Sequence, residues 1–166
     1  MKRLIVLGFG GYGHTVVDVA EQLGYSTQFL DDSIPDHPLS SFVDFIGVGV
    51  EFVSAFGNNE FRLQWCDRII RSGGQLATLI HPTAYVSPKA RIGEGVVVLP
   101  HAIVNTGTIV NKGCIINAGA IIDHDCVIED GVHICLGAIV KADNHIPKCM
   151  KVEAGNVIKN RTYPLR

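Results

Sequence analysis

The sequence predicts two parts in series, a Rossmann-like βαβ unit over residues 1–79 and a parallel β-helix of hexapeptide repeats over residues 80–166. Three observations carry this reading. Residues 1–79 alternate short apolar runs with helix-like stretches around a glycine-rich turn, every sixth residue from Ile80 to Ile158 is isoleucine or valine, and a slender side chain recurs four residues after most of those anchors.

In the first part, Lys2–Gly8 reads as a strand, Gly8–Gly13 as a tight turn, and His14 to about Leu23 as a helix. Tyr25–Leu30 is a second strand ending in Asp31 and Asp32, and Ile34–Leu39, with two prolines, reads as loop. Glu51–Phe56 is a third strand. Glu60–Arg71 follows as a helix that Asn58 or Asn59 would cap, and Leu76–Leu79 is a fourth strand. Strands alternating with helices argue for a parallel sheet.

In the second part the anchors are Ile80, Val86, Ile92, Val98, Val104, Val110, Ile116, Ile122, Ile128, Ile134, Val140, Ile146, Val152 and Ile158, fourteen positions without an exception. A spacing of six lies far from the 3.6 of a helix, and β-branched residues favour extended chain. Each hexad reads as a short strand plus a corner, so about three hexads turn once around a triangular prism with the anchors pointing inward. The small positions, from Ala84 and Ala90 through Cys126 and Ala138, give way to Asn144, Met150 and Asn156, which marks the last coil as distorted or covered by another surface. The Rossmann-like unit can cap one end of the prism, and Lys159–Arg166 the other.

Composition narrows the functional classes. A net charge of −2 over 166 residues gives no overall reason to bind nucleic acid or an anionic membrane. Residues 141–166 are locally basic, with six basic and two acidic side chains, either as a solvated end or as an anion site. Five cysteines without metal-site spacing, and an N-terminus without a signal-peptide pattern, point to reduced thiols in the cytoplasm. No apolar run is long enough to span a membrane.

The segments GFGGYGHTVVDVA at Gly8–Ala20, FGNNEFR at Phe56–Arg62, LIHPTAYVSP at Leu79–Pro88 and NAGAIIDHDCVIEDGVHI at Asn117–Ile134 resemble the bacterial sialic-acid O-acetyltransferase and nucleotide-amino-sugar N-acetyltransferase family. The resemblance covers nearly the whole chain. It implies a left-handed β-helix, acetyl-CoA as co-substrate and no metal, with a homotrimer in which the βαβ unit holds a nucleotide sugar and acetyl-CoA lies between neighbouring prisms. The family commonly has GGHGK where this chain has Tyr12 and His14 in place of the histidine and lysine, which leaves the identity of the acceptor open. The chain also ends about one coil before many relatives, so part of the cofactor site is expected from a neighbour or from other residues.

His124 is the candidate general base, because imidazole titrates near working pH and an amine or hydroxyl acceptor must lose a proton as it attacks a thioester. Asp125, or else Asp123, would orient it. The resemblance assigns Asn117 to the same polar network and places His133 near the thioester. His133 stands half a coil from His124, on another side of the prism. A backbone N–H near Gly137 or Ala142 is the expected oxyanion donor. Lys141, Lys148, Lys151 and Lys159 are candidates for the phosphates of coenzyme A, or else solvate the tail.

Gly8, Gly10 and Gly13 form G-x-G-x-x-G after a strand, so Gly10, Gly11, Tyr12, Gly13 and His14 are the candidate phosphate cradle. Asp31 and Asp32 lie where carboxylates can accept from ribose hydroxyls.

The leading expectation is acetyl transfer to the amine of a nucleotide-linked deoxyamino sugar for surface glycans. O-acetylation of a sugar, and a non-catalytic nucleotide-sugar-binding trimer, are the alternatives. A zinc hydrolase of the γ-carbonic-anhydrase kind would need three converging histidines, and His101, His124 and His133 lack its closely spaced pair.

Overall fold

The computed structural model describes residues 2–164. Its first part contains β1 (Arg3–Leu7), α1 (Gly11–Gln22), β2 (Ser26–Leu30), β3 (Val50–Ser54), α2 (Asn59–Arg71) and β4 (Gln75–Leu76), with a parallel sheet in the order β2-β1-β3-β4. Leu4, Ile5, Val6 and Leu7 of the central strand are wholly buried, as a strand covered on both faces requires. On one face α1 packs Val16, Val19 and Ala20 against Leu4, Val6 and Val53; on the other, α2 packs Trp65 and Ile69 against Ile5, Leu7 and Phe52. The strand order reverses at the carboxyl end of β1, and the glycine-rich turn opens there.

Several boundaries differ from the sequence reading for physical reasons. α1 begins at Gly11 rather than His14, since the His14 N–H already donates to Gly10 O at 3.1 Å, and the poor helix formers of this first turn hide it in the sequence. Asn58 caps α2, its side chain accepting from the Phe61 N–H at 2.9 Å. The expected fourth strand divides: Gln75–Leu76 closes the open sheet and Leu79–Ile80 starts the prism. Beyond the proline-rich loop, Leu39–Phe45 forms a 3-10 helix that seats Phe42 edge-on against Phe52 and Trp65, an element the proline pair concealed.

From Leu79–Ile80 to Val157–Ile158 the chain forms fourteen two-residue strands in three parallel sheets of five, five and four strands. Partners lie eighteen residues apart, as in Ile115 with Val97 and with His133. The first face carries 79–80, 97–98, 115–116, 133–134 and 151–152, the second starts at 85–86, and the third at 91–92. The anchors fill the axis in one apolar column, nearly all of them fully buried in the middle coils.

Corners obey a second rule of six that side-chain identity only half reveals. At residues 95, 101, 107 and onward to 161 the backbone takes positive φ at twelve successive corners, seven of them glycine and the others His101, Asp125, Asp143, Cys149 and Arg161. An L side chain in that region costs about 1 kcal/mol or more, which is why glycine dominates and why the exceptions invite explanation.

The two parts share core. Val97, Leu99 and Ile115, outward on the first face, join the cluster of α1, and Leu63 and Cys66 of α2 lie over the bare corners of Gly113 and Gly131. At the far end, buried Asn144 donates to Lys141 O and Lys159 O and accepts from Tyr163 N–H, while Tyr163 packs on the prism core. That asparagine breaks the small-residue pattern because it holds the covering loop. The cover expected from Lys159–Arg166 is present through Pro164, and residues 165–166 lie outside the described residues.

Truncating one anchor tests the column. Ile128→Ala removes a wholly buried side chain and is expected to lower stability by about 2–5 kcal/mol, read as a reduced urea midpoint at unchanged slope.

Candidate active site at the prism corner

His124 and Asp125 sit on the corner between the second and third faces. Asp125 holds φ +55°, and its carboxylate folds back over Gly107 one coil below, where any Cβ would collide with Asp125 Oδ1. The strained aspartate and the bare glycine are therefore one device. His124 Nδ1 lies 2.8 Å from Asp125 Oδ2. A carboxylate only accepts, so Nδ1 carries the proton and the Nε2 lone pair is left for a partner. The Asp125 hydrogen bond, with the charges of Asp123, Asp125 and Asp143, raises the histidine above its ordinary value. Asp123 Oδ1 also accepts the His124 backbone N–H at 2.8 Å.

Fixed register stacks other groups on this corner. Ala142 stands eighteen residues on, one coil above His124, and its N–H donates to no carbonyl among the described residues. Lys141 and Lys159 rise above Asp123 at the edge of the second face. The other expected donor does not serve: the Gly137 N–H is committed to Ala118 O at 3.0 Å by the stacking of its own corner. Lys148 is also elsewhere, lining a groove with Glu60, Leu63, Gln64, Asp67 and Cys149 beside α2. The prism separates it from Lys141.

Asn117 and His133 belong to the first face rather than to the His124 corner. Asn117 Nδ2 is 3.0 Å from His133 Nε2, so within one chain the asparagine serves the second histidine. Burial first, then the positive charges of Arg62 and Lys151, push His133 down to about 4.

At the cradle, Gly10 and Gly11 are exposed, and the first turn of α1 has no acidic residue and no side-chain cap, leaving its N–H groups open to an anion. Gly13 is obligatory, since a Cβ there would collide with the Gly8 carbonyl oxygen. Tyr12 departs from the expected role: helix geometry turns it inward, and its hydroxyl is buried without a partner among the described residues. His14 instead packs beside Phe9 and Phe29, ring centroids 4.8 and 5.1 Å away. Asp31 accepts from Phe9 N–H and from Ser33 N–H and hydroxyl, and Asp32 accepts from Leu39 N–H, so both carboxylates brace the loop at the mouth of the crevice.

Sequence reasoning missed Arg62, buried on α2, and the His145–Glu129 pair at 2.6 Å on the third face. No group of three His, Cys, Asp or Glu side chains is placed to hold a metal ion among the described residues. Titration of His124 followed by nitrogen-15 NMR is expected to give a midpoint above 6.5, and Asp125→Asn is expected to lower it.

A family model described as the PglD N-terminal domain matches residues 3–69. The UDP-N-acetylbacillosamine N-acetyltransferase of Bacillus subtilis (strain 168) is 32% identical over 113 residues, 60% of this chain and 52% of that protein, so the match spans about half of that relative. The acetyltransferase domain of PglB from Neisseria gonorrhoeae FA1090 superposes with TM-score 0.89 at 32% identity, covering 97% of this chain and 84% of that one. Its complex with acetyl coenzyme A gives TM-score 0.89 at 34% identity over 96% and 83%. The GDP-perosamine N-acetyl transferase of Caulobacter crescentus shares the fold, with TM-score 0.77 at 21% identity over 96% and 90%. The prism is thus a left-handed β-helix, and the chain belongs to the bacterial nucleotide-amino-sugar N-acetyltransferase family.

Proposed function

We propose that this protein transfers the acetyl group of acetyl-CoA to the amine of a nucleotide-linked amino sugar, with His124 as general base. The observation that carries the proposal is the His124–Asp125 pair on an open corner of a fold whose 34%-identical relative binds acetyl coenzyme A. Asp125 holds the Nδ1 proton, so Nε2 can take one from the acceptor as its nitrogen attacks the thioester carbonyl. The Ala142 N–H above it, which donates to no carbonyl among the described residues, is the proposed oxyanion donor, and coenzyme A leaves as the thiol. Asp31, Asp32 and the open first turn of α1 support a sugar-nucleotide cradle.

A homotrimer is part of this reading. The α/β unit packs on the first face, and His124 occupies the opposite edge of the triangle, with the prism of the same chain between them. A second copy's cradle must therefore present the acceptor. An outward ladder of Tyr85, Ile103, Ile121, Ile139 and Val157 climbs the second face beside that edge, Tyr85 54% and Val157 53% exposed, and suits contact between copies. The expected location is the cytoplasm, where acetyl-CoA and sugar nucleotides are both available.

His124→Ala is expected to cut kcat by about 100- to 10,000-fold while calorimetry still detects acetyl-CoA binding, the product being identified by mass spectrometry. Because only the unprotonated imidazole acts, kcat/KM should rise with pH through the raised His124 value. Asp125→Asn should move that limb to lower pH and reduce its plateau. Sedimentation velocity is expected to give three times the chain mass.

A further inference from the structure

α2 carries a buried charge that acetyl transfer, as outlined, does not use. Arg62 is 1% exposed and meets no carboxylate among the described residues. Its Nε donates to Gly113 O at 2.8 Å, Nη2 to Gly131 O at 2.7 Å and Nη1 to Phe56 O at 3.0 Å. Burying an unpaired guanidinium is costly, and an apolar side chain of similar volume ordinarily joins two packed elements at less cost. A fork spanning two coils is what lysine or an apolar residue lacks.

The two prism carbonyls belong to one corner, a coil apart, and each lies two residues before an outward position of the first face. Gly113 precedes Ile115 and Gly131 precedes His133. On that face the Asn117 amide has a defined orientation, because its Oδ1 accepts the Ala118 N–H at 2.8 Å. Its Nδ2 therefore donates to His133 Nε2 at 3.0 Å. An uncharged imidazole that accepts at Nε2 carries its proton on Nδ1, and Nδ1 is buried without a partner among the described residues. A second proton would displace the Asn117 bond and add a third cation to Arg62 and Lys151, with only Glu153 opposing. Tyr12, from the cradle helix, is buried beside the same guanidinium.

We propose that Arg62 is a positioning residue for the transfer site: it clamps the corners that launch the Ile115 and His133 strands and, jointly with Asn117, holds His133 as a neutral ring with its proton on Nδ1. This rests on the trimer reading above, in which the His133 of one copy would line the acetyl-CoA side of a site whose His124 belongs to its neighbour. The consequence is a division of labour between two imidazoles in opposite environments. His124, raised by carboxylates, accepts the acceptor's proton, and His133, kept neutral, does not compete for it.

The test is long-range proton–nitrogen-15 NMR of the histidine side chains in the full chain, with thermal melts and steady-state kinetics for Arg62→Met, Arg62→Lys and Asn117→Ala. The unaltered protein should show His133 with a bare Nε2 from about pH 5 to 8. In Arg62→Met, His133 should titrate inside that range and kcat should fall roughly tenfold, with KM for acetyl-CoA within about threefold. Arg62→Lys, which keeps the charge, should retain the His133 signature better than Arg62→Met. Asn117→Ala, at a half-buried edge, should mix the two tautomers, and it decides the matter if Arg62→Met does not fold. A folded Arg62→Met protein with an unchanged His133 signature, or a shifted signature with unchanged kcat, overturns the proposal, as does an unaltered His133 in Asn117→Ala. The NMR arm needs no turnover, so its failure is distinct from failure of the acetyltransferase reading, which His124→Ala reports.

Discussion

Closure of the chain every eighteen residues, with one β-branched side chain turned inward on each face, is the constraint on which the site depends. Two-residue strands are too short to hold a register by their own hydrogen bonds. They are held because Ile116, Ile122, Ile128 and their equivalents pack directly on the anchors above and below. Once that column forms, every outward residue has a neighbour eighteen places away. Ala142 then has to lie over His124, and Lys141 over Asp123. The geometry of the site is thus set by the core rather than by the loop that carries it, so its atoms are placed with the rigidity of packed aliphatic side chains.

The corner is where this regularity meets chemistry. Glycine is the cheap solution at a positive-φ corner, and Asp125 replaces it at the coil where a carboxylate is needed beside an imidazole. Gly107, one coil below, leaves the space that the carboxylate occupies. The opposite face has been given to the α/β unit, whose helices cover the bare corners of Gly113 and Gly131 and the apolar ladder of Val97 and Ile115. One edge of the triangle is left for His124 while the far side is buried, and the two histidines end in contrasting surroundings.

Much of this was legible in the sequence because the repeating signal is carried by side-chain identity. The fourteen anchors, the small corner residues, the strand–turn–helix around the glycines and an asparagine cap at 58 or 59 could all be read directly, and the structure selects Asn58. Features that depend on where a backbone turns were not. The positive-φ period passes through His, Asp, Cys and Arg as well as glycine, so composition hides it. Tyr12 sits inside the glycine motif yet faces the interior, which only the phase of α1 decides. Spacing alone allows Gly137 as an oxyanion donor, and only the stacking of its own corner commits its N–H to Ala118 O. Asn117 reaches a partner 16 residues away and Arg62 two prism carbonyls 51 and 69 residues away, and no local pattern announces such partners.

The most direct test is a crystal structure of the protein with acetyl-CoA and a nucleotide-linked amino sugar bound together. The expected result is a thioester lying between two copies, with the acceptor nitrogen hydrogen-bonded to His124 Nε2 of one copy and about 3–3.5 Å from the carbonyl carbon. An acceptor and thioester that meet away from the His124 corner would contradict it.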